Sequence, residues 1–194
     1  MFLLRRPAEE QIRRFLLAEQ HKPFSYPDQS ATGPATPRGY TVDHNRIMLG
    51  TGRDVFKRGV EALKRWEMFN FAWLSLCWPD APIKMGTTVG VLAQLPGLWS
   101  LNACRIVFVI DEEGEVRRYG FAYGTLPGHV ERGQESFVIE WHSKDDSVWY
   151  DIFAYSRPNQ VIAKIGYPIT RLLQKRFARD SMKAMLRACG VSRS

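Results

Sequence analysis

The segment between residues 86 and 155 limits the possible folds more than any other part of the chain. Stretches near 86–94, 103–111, 116–125, 134–143 and 147–155 are rich in β-branched and aromatic residues, with short gaps carrying Gly or Asp between them. A parallel pair needs a crossover of about a dozen residues or more, so these gaps predict hairpins and an antiparallel sheet. Register follows from the apolar pattern. A turn at Glu113-Gly114 would set Phe108 opposite Tyr119, Ile106 opposite Phe121 and Cys104 opposite Tyr123, giving one apolar face. In the last hairpin, a loop beginning at Lys144 puts Phe137, Ile139 and Trp141 on one face with Val148, Tyr150 and Ile152. A slip of one residue would mix that face with Glu140 and Asp151.

Helical periodicity flanks the sheet. Ile162, Ile165, Ile169, Leu172, Leu173, Phe177, Met182, Met185 and Leu186 recur at helical spacing up to Gly190. Ser156 is read as an N-cap ahead of Pro158, and Pro168 predicts a break at Gly166–Pro168 with the main helix over 168–188. At ~1.5 Å per residue that helix is about 30 Å long. Upstream, Pro7–Gln20 reads as a short amphipathic helix, and Pro23–Gly39 as an irregular connector. Tyr40–Leu49 reads as a strand with Tyr40, Val42, His44 and Met48 on one face. Gly50-Thr-Gly52 then turns the chain into a helix over Arg53–Met68, followed by an aromatic stretch broken by Pro79 and Pro82. This order predicts an α+β helix-grip fold: a curved antiparallel sheet of six to seven strands wrapped around a long C-terminal helix, with a cavity between them. Residues 1–38 read as an extension and 39–190 as the helix-grip domain, together one globular domain.

Composition excludes some classes. With 45% hydrophobic residues the chain can build a core, and no run approaches the ~20 apolar residues of a membrane span. Arg5 and Arg6 come too early for a signal peptide, which predicts a cytoplasmic protein. Cys77, Cys104 and Cys189 are scattered and odd in number, so neither a disulfide framework nor a zinc site is expected, and no cofactor motif is present. The net charge of +7 favours acidic partners in general.

Several strings stand out together: Val42-Asp-His-Asn-Arg46, Ser100-Leu-Asn-Ala-Cys-Arg-Ile-Val107, Phe121-Ala-Tyr-Gly-Thr-Leu-Pro-Gly-His129, Ser156-Arg-Pro158 and Phe177-Ala-Arg-Asp-Ser181. From Phe2 to about Met185 the chain resembles a bacterial and plant family known as a domain of unknown function. That family is similar to the START and pollen-allergen superfamily, which implies the helix-grip fold. The resemblance also implies ligands such as lipids, sterols or polyketides, and some members are cyclases or aromatases. Fold alone does not fix function.

Candidate sites follow, each beside its plainer reading. Tyr119, Phe121, Tyr123, Phe137, Trp141 and Tyr150 fall on the expected concave side, where they form either a packed core or the wall of a pocket for a small hydrophobic molecule. His129, in the loop Leu126–Gly133, is a candidate acid, base or hydrogen-bond donor at the pocket mouth, or simply a solvated loop histidine. His44 is expected to project inward as a ligand-binding or core histidine. Arg105, Glu140 and Asp151 fit an ion-pair network on the outer face, and no paired carboxylates are expected on one face. Gly50-Thr-Gly-Arg-Asp54 lacks the third glycine of a dinucleotide fingerprint and reads as a tight turn. On the C-terminal helix, Arg171, Lys175, Arg179 and Lys183 recur every four residues as a basic face, either solvated or docking to an anionic membrane. If the protein is an enzyme, His129 or His44 is the candidate base. Nucleic-acid binding is disfavoured, because the aromatics fall on the core face rather than among exposed Lys and Arg.

Overall fold

The computed structural model describes residues 1–27, 38–159 and 167–191. Its strands are β1 (Phe2–Leu3), β2 (Thr41–Thr51), β3 (Leu74–Cys77), β4 (Thr88–Leu95), β5 (Leu98–Glu112), β6 (Val116–Thr125), β7 (Glu131–His142) and β8 (Ser147–Pro158). They run in the order β2-β8-β7-β6-β5-β4-β3, and every neighbouring pair is antiparallel. β1 pairs with β5 at Trp99 and Ser100, beyond the Cys104–Thr125 pair where β6 ends. The helices are α1 (Glu9–Glu19), α2 (Arg53–Lys64) and α3 (Tyr167–Ala188).

Period two along the strands separates the faces. Inward residues such as Val89, Ile106, Phe121, Phe137, Ile139 and Tyr150 join one buried core with α2 and α3. Leu92 and Leu101, directly paired, point the other way and pack on Ile12 of α1. The N-terminal segment therefore covers the outer face, while α2 and α3 cover the inner one.

The expected helix over Arg53–Met68 stops at Lys64 because Trp66 adopts a left-handed conformation, φ 55°. That turn starts the 3-10 segment Glu67–Phe69 and drives the Trp66 indole into the core, where its Nε1–H donates to the Ala81 carbonyl at 2.8 Å. Trp66 meets Phe121 edge-to-face at 4.9 Å, and Phe69 packs on both Phe137 and Phe177. The aromatic stretch that follows also contains a strand missed in the sequence, β3. At the other end of α2, the Gly50–Gly52 turn serves as expected, with Gly52 at φ 91° as the N-cap residue.

The last hairpin takes the expected register: Phe137, Ile139 and Trp141 lie opposite Ile152, Tyr150 and Val148. The β5–β6 hairpin differs. Cys104 pairs with Thr125 and Ile106 with Tyr123, and a bulge between Ile106 and Phe108 then sets Val109 opposite Phe121. The offset at Ile106 is two residues, so Cys104 and Ile106 keep the inward face. Ser156 is not an N-cap. It lies within β8, paired with Thr41 and Gly133, and accepts a bond from Gln174 Nε2 at 2.9 Å. Pro168 stands in the first turn of α3, where its missing N–H is harmless. The expected break at Gly166 lies outside the described residues.

At Gly133 of β7, with φ 154°, a Cβ would overlap the Tyr155 carbonyl oxygen of β8. Gly133→Ala is expected to destabilise the protein by about 2 kcal/mol or more, measured by urea unfolding. A loss below about 0.5 kcal/mol, the range of ordinary surface changes, would contradict this close approach.

Candidate functional site: a cavity between the sheet and the closing helix

The inner face is covered unevenly. Toward Tyr119, Ile139 and Trp141, α2 lies directly on the sheet: Gly59 is so close that a Cβ there would meet Ile139 at 3.1 Å. Toward the other ends of β7 and β8 only α3 crosses, and a cavity of about 980 Å³ remains. Its wall is mainly apolar, built from Phe69, Trp73, Leu74, Val91, Phe177 and Met182 among others. Hydrogen bonds to the core and to the segment leading into β3 hold α3 over it. The Tyr150 and Ser181 hydroxyls lie 2.9 Å apart, and Trp73 Nε1–H donates to Asp180 at 3.0 Å.

One region of the wall is polar and acidic. Glu131 and Glu135 lie on the same inward face of β7, four residues apart, and Asp43 joins them from β2. Asp43 takes both guanidinium arms of Arg171 from α3, one at 2.6 Å. Glu131 accepts from the Gln174 amide at 2.6 Å. Glu135 accepts from the Tyr123 hydroxyl at 2.7 Å. Burial pushes the Glu135 carboxyl up to about 7; the Tyr123 bond opposes that rise, and the neighbouring Glu131 and Asp43 carboxylates add to it. Burial raises Glu131 too, against its bond from Gln174.

His129 belongs to this cavity and is not a solvated loop residue. Its Nδ1 accepts the Glu131 backbone N–H at 2.9 Å, which leaves the proton of the neutral ring on Nε2. Burial, and then the positive Met1 amine, push its pKa down to about 3, so the ring stays neutral. Asn159 holds the loop by donating to the His129 and Pro127 carbonyls.

The other site residues expected from the sequence divide by location. Tyr123 lines the cavity. Phe121, Phe137 and Tyr150 are fully buried beneath Trp66, Phe69 and Ser181. Tyr119 and Trp141 flank a smaller hollow beside α2, with Lys64 over the Tyr119 ring and Trp141 bonded to Asp146. His44 does not point inward. Asn45 and Ile47 pair with the inward residues Ile152 and Tyr150, and this parity turns His44 outward, where its ring bonds Asp151 at 2.7 Å at the cavity's rim. Glu140 and Asp151 do form the expected outer network, with Arg46, Arg118 and His44. Arg105 instead caps α1, donating to the Gln20 carbonyl and lying over the Phe24 ring. Arg171 leaves the basic stripe for its inward pair with Asp43, whereas Lys175, Arg179 and Lys183 are exposed.

A profile described as a domain of unknown function, DUF1990, matches residues 25–184. The chain belongs to the DUF1990 family. UPF0548 proteins are its relatives: one from Dictyostelium discoideum is 35% identical over all of this chain and 98% of its own. One from Arabidopsis thaliana is 32% identical over 79% of this chain and 76% of its own. One from Deinococcus radiodurans is 31% identical over 98% and 100%. Among solved structures, the hypothetical protein jhp0584 of Helicobacter pylori shares the fold, with a TM-score of 0.50 at 10% identity over 84% of this chain and 94% of that one. Ara h 8.0201 aligns at 0.47 (13% identity; 79% and 100% covered) and human STARD10 at 0.45 (13%; 95% and 80%).

Glu131 and Glu135, missed in the sequence, correct the expectation that no carboxylates share a face. Extending the alternation of Phe137, Ile139 and Trp141 backwards reaches Glu135 first. Their effect on stability has a definite sign. The folded Glu135 pKa lies above its ordinary value of 4.5, so the folded state holds the extra proton between about 4.5 and about 7. That contribution is fully present below about 4.5 and is lost as pH rises through about 7. His129 has the opposite slope, but it is common to both proteins in a comparison of wild type with Glu135→Gln. The variant should therefore gain melting temperature relative to wild type as pH rises through this window. A difference independent of pH would contradict the placement of Glu135.

Proposed function

We propose that this chain is a binding module that holds a small, largely apolar molecule, lipid-like or polyketide-like, between the sheet and α3. The observation that carries the reading is the cavity of about 980 Å³ with its mainly apolar wall. Small-molecule sites occupy about 300–1,000 Å³ and combine apolar walls with a few placed polar groups. Binding would draw on burial of the ligand's apolar surface, with Tyr123, His129 and Glu135 orienting its polar end. α3 acts as the lid.

The outer side of the lid supports a second element of this reading. Lys175, Arg179, Lys183 and Arg187 are exposed on α3, and Leu172, in its first turns, is 67% exposed. We infer that this face docks on an anionic membrane while the ligand is exchanged. A histidine-based cyclase or hydrolase is less well supported, since His44 faces outward and His129, held near 3, is a weak base.

Two measurements test these readings. Wild-type protein should bind the neutral dye Nile red with enhanced fluorescence, and an apolar molecule should displace it. Ala93→Trp puts an indole into the cavity from β4, and is expected to weaken dye binding at least about tenfold with the fold retained by circular dichroism. Equal binding by the variant would place the dye elsewhere and remove the support. In liposome flotation, anionic vesicles should carry the protein and neutral ones should not, with the difference lost in a Lys175→Glu, Arg179→Glu, Lys183→Glu variant. Equal recovery with both vesicle types would sink the docking element.

A further inference from the structure

Among the described residues, the carboxylates of the cavity are unevenly matched by cations. Three carboxylates line it, those of Asp43, Glu131 and Glu135. Arg171 pairs with Asp43. Glu131 and Glu135 are met instead by neutral donors, the Gln174 amide and the Tyr123 hydroxyl. The cations at the cavity's rim, Lys175 and Arg179, turn to solvent on the outer side of α3, and Arg179 bonds Asp180. Glu135 thus forms no ion pair among the described residues. An enclosed carboxylate without a cation is costly, and such groups are normally paired or protonated. His129 supplies a second polar group on the same wall. Its Nδ1 is used by the Glu131 backbone, and no hydrogen bond to another described residue uses its Nε2–H, so that donor is open to a ligand group.

Resting on the cavity reading above, we propose that the occupant carries a protonated amine at one end of its apolar body and that this ammonium pairs with the Glu135 carboxylate. An ammonium supplies the cation that Glu135 lacks among the described residues, and its three N–H donors suit the free lone pairs of Glu135 and Glu131. A hydroxyl beside the amine would accept the His129 Nε2–H. A carboxylate or phosphate head would meet Glu131 and Glu135 as like charges, so fatty acids and anionic lipids are selected against within the cavity, even though the outer face of α3 is basic.

Titration calorimetry with dodecylamine, dodecanol and dodecanoate, each below its micelle concentration, tests the assignment. Wild type should bind the amine most tightly and the carboxylate most weakly. Glu135→Gln preserves size and the hydrogen bond from Tyr123, and should weaken the amine by about 30-fold or more and the alcohol by no more than a few-fold, the loss of one charge-assisted hydrogen bond. Wild-type affinity for the amine should also rise with pH through about 7 as Glu135 ionises, a readout that does not depend on the variant's folding. Equal affinities for amine and alcohol, or tightest binding of the carboxylate, would overturn the amine assignment and leave the cavity reading standing. Binding of none of the three would overturn the cavity reading and this inference together.

Discussion

The inner face of a strongly curved sheet is wider than one helix can cover, and most features of this molecule depend on how that mismatch is resolved. α3 presents a single apolar side, with Ala178, Met185 and Leu186 buried. The remainder is covered by α2 and by the left-handed turn at Trp66, which delivers Trp66 and Phe69 to the sheet. Their packing makes one half of the face a dry aromatic core. The other half has no second layer beneath α3, and the cavity lies there. Core and cavity are two halves of one surface, separated by where the α2 unit stops.

The outer face contributes indirectly. α1 packs on Leu92 and Leu101, and its buried Glu19 accepts the Gly128 N–H at 2.8 Å. Phe15 sits against the same glycine, so closely that a Cβ on Gly128 would clash. Asn102 reaches the loop from β5 by accepting the Val130 N–H, and Asn159 holds it from the end of β8. The loop that presents His129 to the cavity is therefore fixed from both sides of the sheet, and a residue that looks like a solvated loop histidine becomes part of a wall.

Much of the fold was legible in the sequence because it follows from short-range rules. Hairpin spacing set the antiparallel sheet, period two set the β7–β8 register, and helical spacing placed the closing helix over 168–188 against an observed start at Tyr167. What escaped depends on single-residue geometry. The bulge after Ile106 moved the β5–β6 register, and the left-handed Trp66 shortened α2. The site was less legible for the same reason. The parity of β2 is decided by its partner β8, so an aromatic and aliphatic pattern that favoured His44 pointed to the wrong face. Acidic residues carry no apolar signature; Glu135 falls at the start of the expected strand over 134–143, and Glu131 lies before it. The aromatic face is legible in the alternation of the strands, but nothing in that pattern divides it into the half that is packed and the half that is open.

Occupancy of the cavity is the central claim, and a crystal structure of the protein as purified tests it most directly. Continuous density is expected for an elongated apolar molecule lying between Phe177 and β4, with its polar end against Glu135 and His129. A cavity closed by collapse of α3 onto the sheet, or one holding only ordered water against an apolar wall, would contradict it.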